Sequence, residues 1–115
     1  MVEQGLKVQT RTEQLLYRLY PRLTNFPQSE KFGLAARIKE AFFDILKFIS
    51  LGAAVKSKRL QYLQEADGHL QTLKVLIKLS NHRKYIGQSF FKEIDLELSE
   101  INAMLSGFIK SAVRP

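Results

Sequence analysis

The strongest constraint on this chain is the spacing of its apolar residues toward the C-terminus. Phe91, Ile94, Leu98, Ile101, Leu105, Phe108 and Ala112 follow one another at intervals of three and four. That rhythm puts them all on one face of an α-helix, whose period is 3.6 residues, whereas a half-buried strand needs an interval of two. Earlier stretches carry the same rhythm: Ala35, Ile38, Phe42, Ile45 and Ile49 in a second helix, and Leu63, Ala66, Leu70, Leu73, Ile77 and Ser80 in a third. Leu15, Leu16, Leu19, Tyr20 and Leu23 give a shorter version in a first. No segment alternates with period two, and no solenoid-length repeat occurs. The spacing predicts an all-α chain with helices over roughly 10–24, 30–56, 58–81 and 88–112, packed as an antiparallel up-down-up-down four-helix bundle. At 115 residues the expectation is a single domain over 1–115, burying about 65% of its unfolded surface and needing no disulfide or metal.

The first corner is the least regular part. It reads L-Y-P-R-L-T-N-F-P-Q-S-E-K-F-G-L from Leu19, with two prolines and a glycine. Proline lacks the backbone donor and restricts the residue before it, so Pro21 is expected to bend the first helix and Pro27 to seal its end. Ser29 then suits the N-cap of the second helix, and Glu30 its first turn, where a carboxylate meets the positive end of the dipole. Gly33 is expected to admit a neighbouring helix closely. Near the far end of that helix, Gly52 weakens the last turns.

Charge narrows the partners. Eighteen Lys and Arg against eleven Asp and Glu leave a net charge of +7, which points to polyanions or acidic proteins and says nothing about fold. There is no cysteine, so disulfide scaffolds and thiolate metal sites are excluded. The N-terminus lacks a signal-like apolar run and no segment reaches membrane-spanning length, so a cytoplasmic protein without a membrane contact is expected.

Catalytic signals are poor. The glycines form neither a G-x-G-x-x-G turn nor a P-loop. His69 and His82 lack the spacing of helical metal ligands, no E-x-x-H motif occurs, and Glu65 and Asp67 sit two apart and cannot face each other on a helix. Glu93, Glu97 and Glu100 read as a solvated face balanced by Lys92. The expectation is a non-enzyme without metal or cofactor.

Surfaces beyond the core are more informative. On a helical wheel Phe43 and Leu51 lie off the seam of the second helix, and Val75 and Leu79 nearly opposite that of the third. Either a crowded core wraps further around these helices, or the four residues mark an oligomer interface. Lys74 and Lys78 stack one turn apart on the third helix. No acidic residue occurs from Ile45 to Gln64 or from Gly68 to Lys92, so these two, with Lys56, Lys58 and Arg59, have no local partner. They form either a solvated face or a surface that engages phosphates or a protein partner.

The stretches L-Y-P-R-L-T-N-F-P-Q-S-E-K-F-G-L-A-A-R-I-K-E-A-F-F-D-I-L, K-S-K-R-L-Q-Y-L-Q-E-A-D and E-I-N-A-M-L-S-G-F-I-K-S together resemble the accessory variability determinant (Avd) proteins of diversity-generating retroelements, over about Thr12 to Ser111. The chain is more distantly similar to four-helix-bundle proteins encoded within 23S ribosomal RNA intervening sequences. Those usually carry an N-I-A-E-G-like segment where this chain has I-S-L-G-A-A-V-K-S-K-R, which favours the Avd side. The resemblance implies a barrel-shaped homopentamer of four-helix bundles with no catalytic activity of its own. It also implies association with the retroelement reverse transcriptase and with template RNA or cDNA, in support of mutagenic retrohoming. The family's basic pair on the third helix matches Lys74 and Lys78 by the A-D-x-x-L-x-x-L-K/R spacing. The alternative is an RNA-related or structural role tied to an intervening sequence.

Overall fold

The structure is a computed structural model that describes residues 2–113. It contains four α-helices: α1 (Val2–Leu23), α2 (Leu34–Ala54), α3 (Arg59–His82) and α4 (Gln88–Val113), with short 3₁₀ turns at Gln28–Glu30 and Lys56–Lys58. Each helix packs on its neighbours around a ring, α1 on α2, α2 on α3, α3 on α4 and α4 back on α1. Successive helices are antiparallel. At one end Gly5, near the start of α1, lies against Ala53 and Phe108 from the ends of α2 and α4, and Gly52 meets Leu63 from the start of α3. No helix among the described residues is long and apolar enough to cross a membrane.

The core runs the length of the bundle. Phe42, Ile38, Ile45 and Ile49 of α2 interleave with Leu63, Leu70, Leu73 and Ile77 of α3 and with Ile94, Leu98, Ile101, Leu105 and Phe108 of α4, all essentially inaccessible. Every stripe residue expected on the second and third helices is buried. Ser80 closes the α3 stripe although it is polar, because its hydroxyl donates to the Leu76 carbonyl at 2.8 Å. On α4 the stripe begins at Phe90 rather than Phe91, and Phe91 and Ala112 are only half-buried. The Arg22 guanidinium lies 3.9 Å from the centre of the Phe90 ring, a cation–π contact that covers the ring's outer face.

Two boundaries differ from the sequence expectation. The first helix starts at Val2 instead of near residue 10. Val8 and Thr12 extend its buried stripe, and the Thr12 hydroxyl is satisfied by the Val8 carbonyl at 2.7 Å. Gly5 belongs to this turn because a Cβ there would lie 3.1 Å from the Phe108 ring. Tyr20, expected on the seam, is exposed, with the Lys39 ammonium 4.7 Å from its ring centre.

The second difference is the corner. The α1 helix passes through Pro21 and ends at Leu23, and Pro27 does not seal it but opens the 3₁₀ turn, accepting the Glu30 N–H at 2.8 Å. Ser29 falls inside that turn and caps nothing. The N-cap of α2 is Gly33, and the side chain serving the helix start is Glu30, whose Oε1 accepts the Leu34 N–H at 3.2 Å. The carboxylate meets the helix dipole as expected, though from outside the helix. Gly33 admits this carboxylate, not a neighbouring helix, since a Cβ on it would lie 2.8 Å from Glu30 Oε1.

At the α3–α4 corner, between His82 and Gln88, the backbone caps the helix end. The Tyr85 N–H donates to the Ser80 carbonyl at 2.9 Å and the Lys84 N–H to that of Asn81 at 3.0 Å, the paired bonds of a Schellman ending. Lys84 occupies the left-handed position with φ 63°, where glycine is usual.

Candidate partner-binding surface

Lys74 and Lys78 lie where the sequence places them, one turn apart on α3. Lys74 is half-buried on the side of α3 that approaches α4, and Lys78 is exposed. One turn below Lys74, the Gln71 amide donates to Asp67 Oδ1 at 3.0 Å and across to Asn102 Oδ1 at 2.9 Å. Asp67 is thereby engaged, and neither lysine forms an ion pair among the described residues.

Other cations are engaged. Arg11 pairs with Glu100, and Arg18 with Glu97 and, at 3.3 Å, Glu93. The acidic row of α4 is therefore a ladder to α1 and not a face balanced by Lys92. Residues so far apart in sequence give no local signal of this pairing. Its effect is to neutralise Arg11 and Arg18 of α1, while Lys74 and Lys78 of α3 have no such partner.

Lys56 and Lys58 are exposed in the 3₁₀ turn before α3. They do not join Lys74 and Lys78, because sixteen residues of helix separate Lys58 from Lys74, about 24 Å along the axis. Arg59 is not a surface residue. It is buried, with Nε donating to the Gly52 carbonyl at 2.7 Å and Nη2 to that of Ala53 at 2.9 Å. It thus satisfies carbonyls left open at the end of α2, the usual service of a cation at a helix C-terminus. The basic residues expected to act together are divided between two ends of α3, and one of them holds the corner.

Of the off-seam apolar residues, Phe43, Val75 and Leu79 are 53%, 63% and 44% exposed, while Leu51 is half-buried. Val75 and Leu79 stand one turn apart with Lys78 between them in sequence, so the outer face of α3 mixes apolar and cationic groups. Phe43 follows the level of Asp44, whose carboxylate lies 3.8 Å from His69 Nδ1, about 9 Å along the axis from Val75. His69 is half-buried and stacks on Phe48 with ring centres 5.5 Å apart, a packing role. Among the described residues no cluster of three His, Asp or Glu could hold a metal. A shallow groove of about 400 Å³ between α1 and α4, lined by Leu6, Lys7, Thr10, Arg11, Gln14 and Met104, contains no acid–base pair.

The sequence reading missed Phe32, which is 88% exposed. It falls inside the expected second helix, and its signal is its place in E-K-F-G, an aromatic immediately before a glycine.

The fold is shared with a solved structure, a protein of unknown function from the S23 ribosomal protein family of Bacteroides thetaiotaomicron VPI-5482. It aligns with a TM-score of 0.82 over 93% of this chain and 98% of its own, at 17% identity. Among curated proteins no sequence matches. The family model described as bAvd-like matches residues 6–112, from α1 almost to the end of α4. The whole of α2 and α3, most of α1 and α4, the basic pair and the corner fall within that match, and the chain belongs to the bAvd-like family.

Proposed function

We propose that this protein is a non-catalytic accessory subunit of a diversity-generating retroelement. It holds the element's reverse transcriptase together with template RNA or cDNA and so supports mutagenic retrohoming. The family membership supports the class of role. The observation that carries the reading is the uncompensated Lys74–Lys78 pair on α3, on a bundle in which Arg11 and Arg18 of α1 are occupied by α4 carboxylates. Its mechanism is tethering and positioning: lysine ammoniums take phosphates as point charges, and binding gains from released counterions. Exposure of Phe43, Val75 and Leu79 supports self-association, for which the proposed assembly is the homopentamer of the family.

The test is to replace Lys74 and Lys78 together by glutamate. Copurification with the reverse transcriptase or RNA is expected to be lost while circular dichroism stays unchanged; undiminished binding at moderate salt overturns the site. A monomer by sedimentation velocity at micromolar concentration overturns self-association. A gene lying inside a 23S ribosomal RNA gene, without a neighbouring reverse transcriptase and variable repeat, transfers the protein to the intervening-sequence role.

A further inference from the structure

Phe32 is the most exposed large apolar side chain among the described residues. It stands in the turn between the 3₁₀ segment and α2, immediately before the N-cap Gly33. A flexible loop would give this little meaning, but the turn is held from both sides. Glu30 accepts the Leu34 N–H with one carboxylate oxygen and the Tyr85 hydroxyl with the other, at 3.2 and 3.1 Å. The Tyr85 ring packs against Phe26 with centres 5.2 Å apart. The Arg83 Nε donates to the same Tyr85 oxygen at 3.4 Å. The two corners at this end of the bundle are thereby joined into one surface.

That surface is cationic. Lys31, Arg83 and Lys84 are all exposed, and Glu30, the carboxylate between the corners, already accepts two donors. The Arg83 guanidinium carries a permanent charge, as any arginine does, and the Tyr85 hydroxyl beside it holds its pKa above the ordinary value. Phe32 follows next but one after Glu30 and borders Gly33, whose Cβ position lies 2.8 Å from Glu30 Oε1. The exposed Phe32 ring thus leaves the chain two residues from the carboxylate through which Tyr85 and Arg83 join this corner.

We propose that this end of the bundle is a contact for single-stranded nucleic acid, in which the Phe32 ring stacks on an unpaired base and Lys31, Arg83 and Lys84 take the flanking phosphates. A lone exposed ring among the cations of one corner lacks the contiguous apolar area of a protein–protein interface core. It has both parts of a single-strand site, a stacking platform and an electrostatic track. The track continues along α3, since Lys78 lies four residues before the helix end, about 6 Å along the axis. The inference rests on the proposed function only in taking nucleic acid as the partner, and its test uses no reverse transcriptase, so the two fail separately.

The experiment is fluorescence anisotropy with a short labelled oligouridylate and the purified full chain at low salt. Phe32→Ala and Phe32→Leu are expected to weaken binding roughly 5- to 150-fold, the loss of one base–aromatic stack, while Phe32→Tyr stays near the parent. An oligonucleotide with abasic positions should bind parent and Phe32→Ala alike. Replacing Lys31, Arg83 and Lys84 by glutamine should lower the salt slope by about 2. Because Phe32 is 88% exposed, these variants keep the fold, which circular dichroism checks. The proposal is overturned if Phe32→Ala binds as the parent does, if Phe32→Leu retains full affinity, or if the parent binds no single strand.

Discussion

Tyr85 donates its hydroxyl proton to Glu30 Oε2 at 3.1 Å, across 55 residues of sequence, and so bolts the α3–α4 corner to the α1–α2 corner. The bond joins two elements that share no helix. Its other carboxylate oxygen holds the start of α2, so Glu30 serves helix and tertiary structure at once. Tyr85→Phe removes one bond to a charged group and should cost about 1–2 kcal/mol, and Glu30→Ala also loses the cap at similar cost. In a double-mutant cycle by urea unfolding the two should fall short of additivity by at least about 0.5 kcal/mol. Strict additivity means the bond carries no energy.

Lys84 spends its place in the Schellman ending at φ 63°, a conformation costing an L-residue on the order of 1 kcal/mol. Lys84→Gly removes that cost without disturbing a buried group and should raise stability by about 1 kcal/mol in chemical denaturation. Lys84→Val, β-branched at the same angle, should lower it. A destabilised glycine variant would show that the lysine side chain holds the corner.

Arg59 separates a structural cation from an exposed one. Its two bonds to the Gly52 and Ala53 carbonyls are of the charged kind, and the residue is buried, so Arg59→Ala should cost about 3 kcal/mol or more. Lys58→Glu, one residue earlier and exposed, should move stability by less than about 0.5 kcal/mol. Thermal unfolding of the pair checks this. A partner-binding defect in an Arg59 variant is therefore read as loss of the α2–α3 corner until its melting temperature has been measured.

The buried stripes of α2 and α3 were legible because burial of a helix face leaves a three-and-four rhythm that no other force imposes. The same rhythm failed over the first ten residues of α1. There a close approach to Phe108 selects Gly5, so that position is not occupied by a large apolar residue, and Val8 is the one apolar residue buried in that stretch. Caps depend on three-dimensional reach. Ser29 fitted the preferred residue type, but the chain takes a 3₁₀ turn first and Glu30 reaches the helix start instead. Of the candidate surface, the isolation of Lys74 and Lys78 was visible in the absence of nearby carboxylates. The burial of Arg59 was not, because sequence records a charge without its direction. The ladder from Arg11 and Arg18 to the α4 carboxylates was hidden for a related reason, since its partners are strangers in sequence.

Gly52 lies in the last turn of α2 and Gly68 in the interior of α3, and the same substitution should move them in opposite directions. A helical glycine gives up about 1 kcal/mol relative to alanine, so both would gain if propensity alone mattered. At Gly68 nothing lies within 4 Å of the added Cβ, and Gly68→Ala should stabilise by about 0.5–1 kcal/mol. At Gly52 the new Cβ meets Leu63 Cδ2 at 2.6 Å and Cγ at 2.9 Å, and Leu63 is fully buried with little freedom to move aside. Overpacking of this kind costs about 1–3 kcal/mol, which exceeds the propensity gain, so Gly52→Ala should destabilise. Leu63→Ala leaves a cavity of its own, yet combined with Gly52→Ala it should be less damaging than the sum of the two, because each substitution vacates or fills the same space. Urea midpoints for the four proteins decide the matter: a stabilised Gly52→Ala variant would mean that α2 and α3 separate easily at this level, and that Gly52 is not what sets their approach.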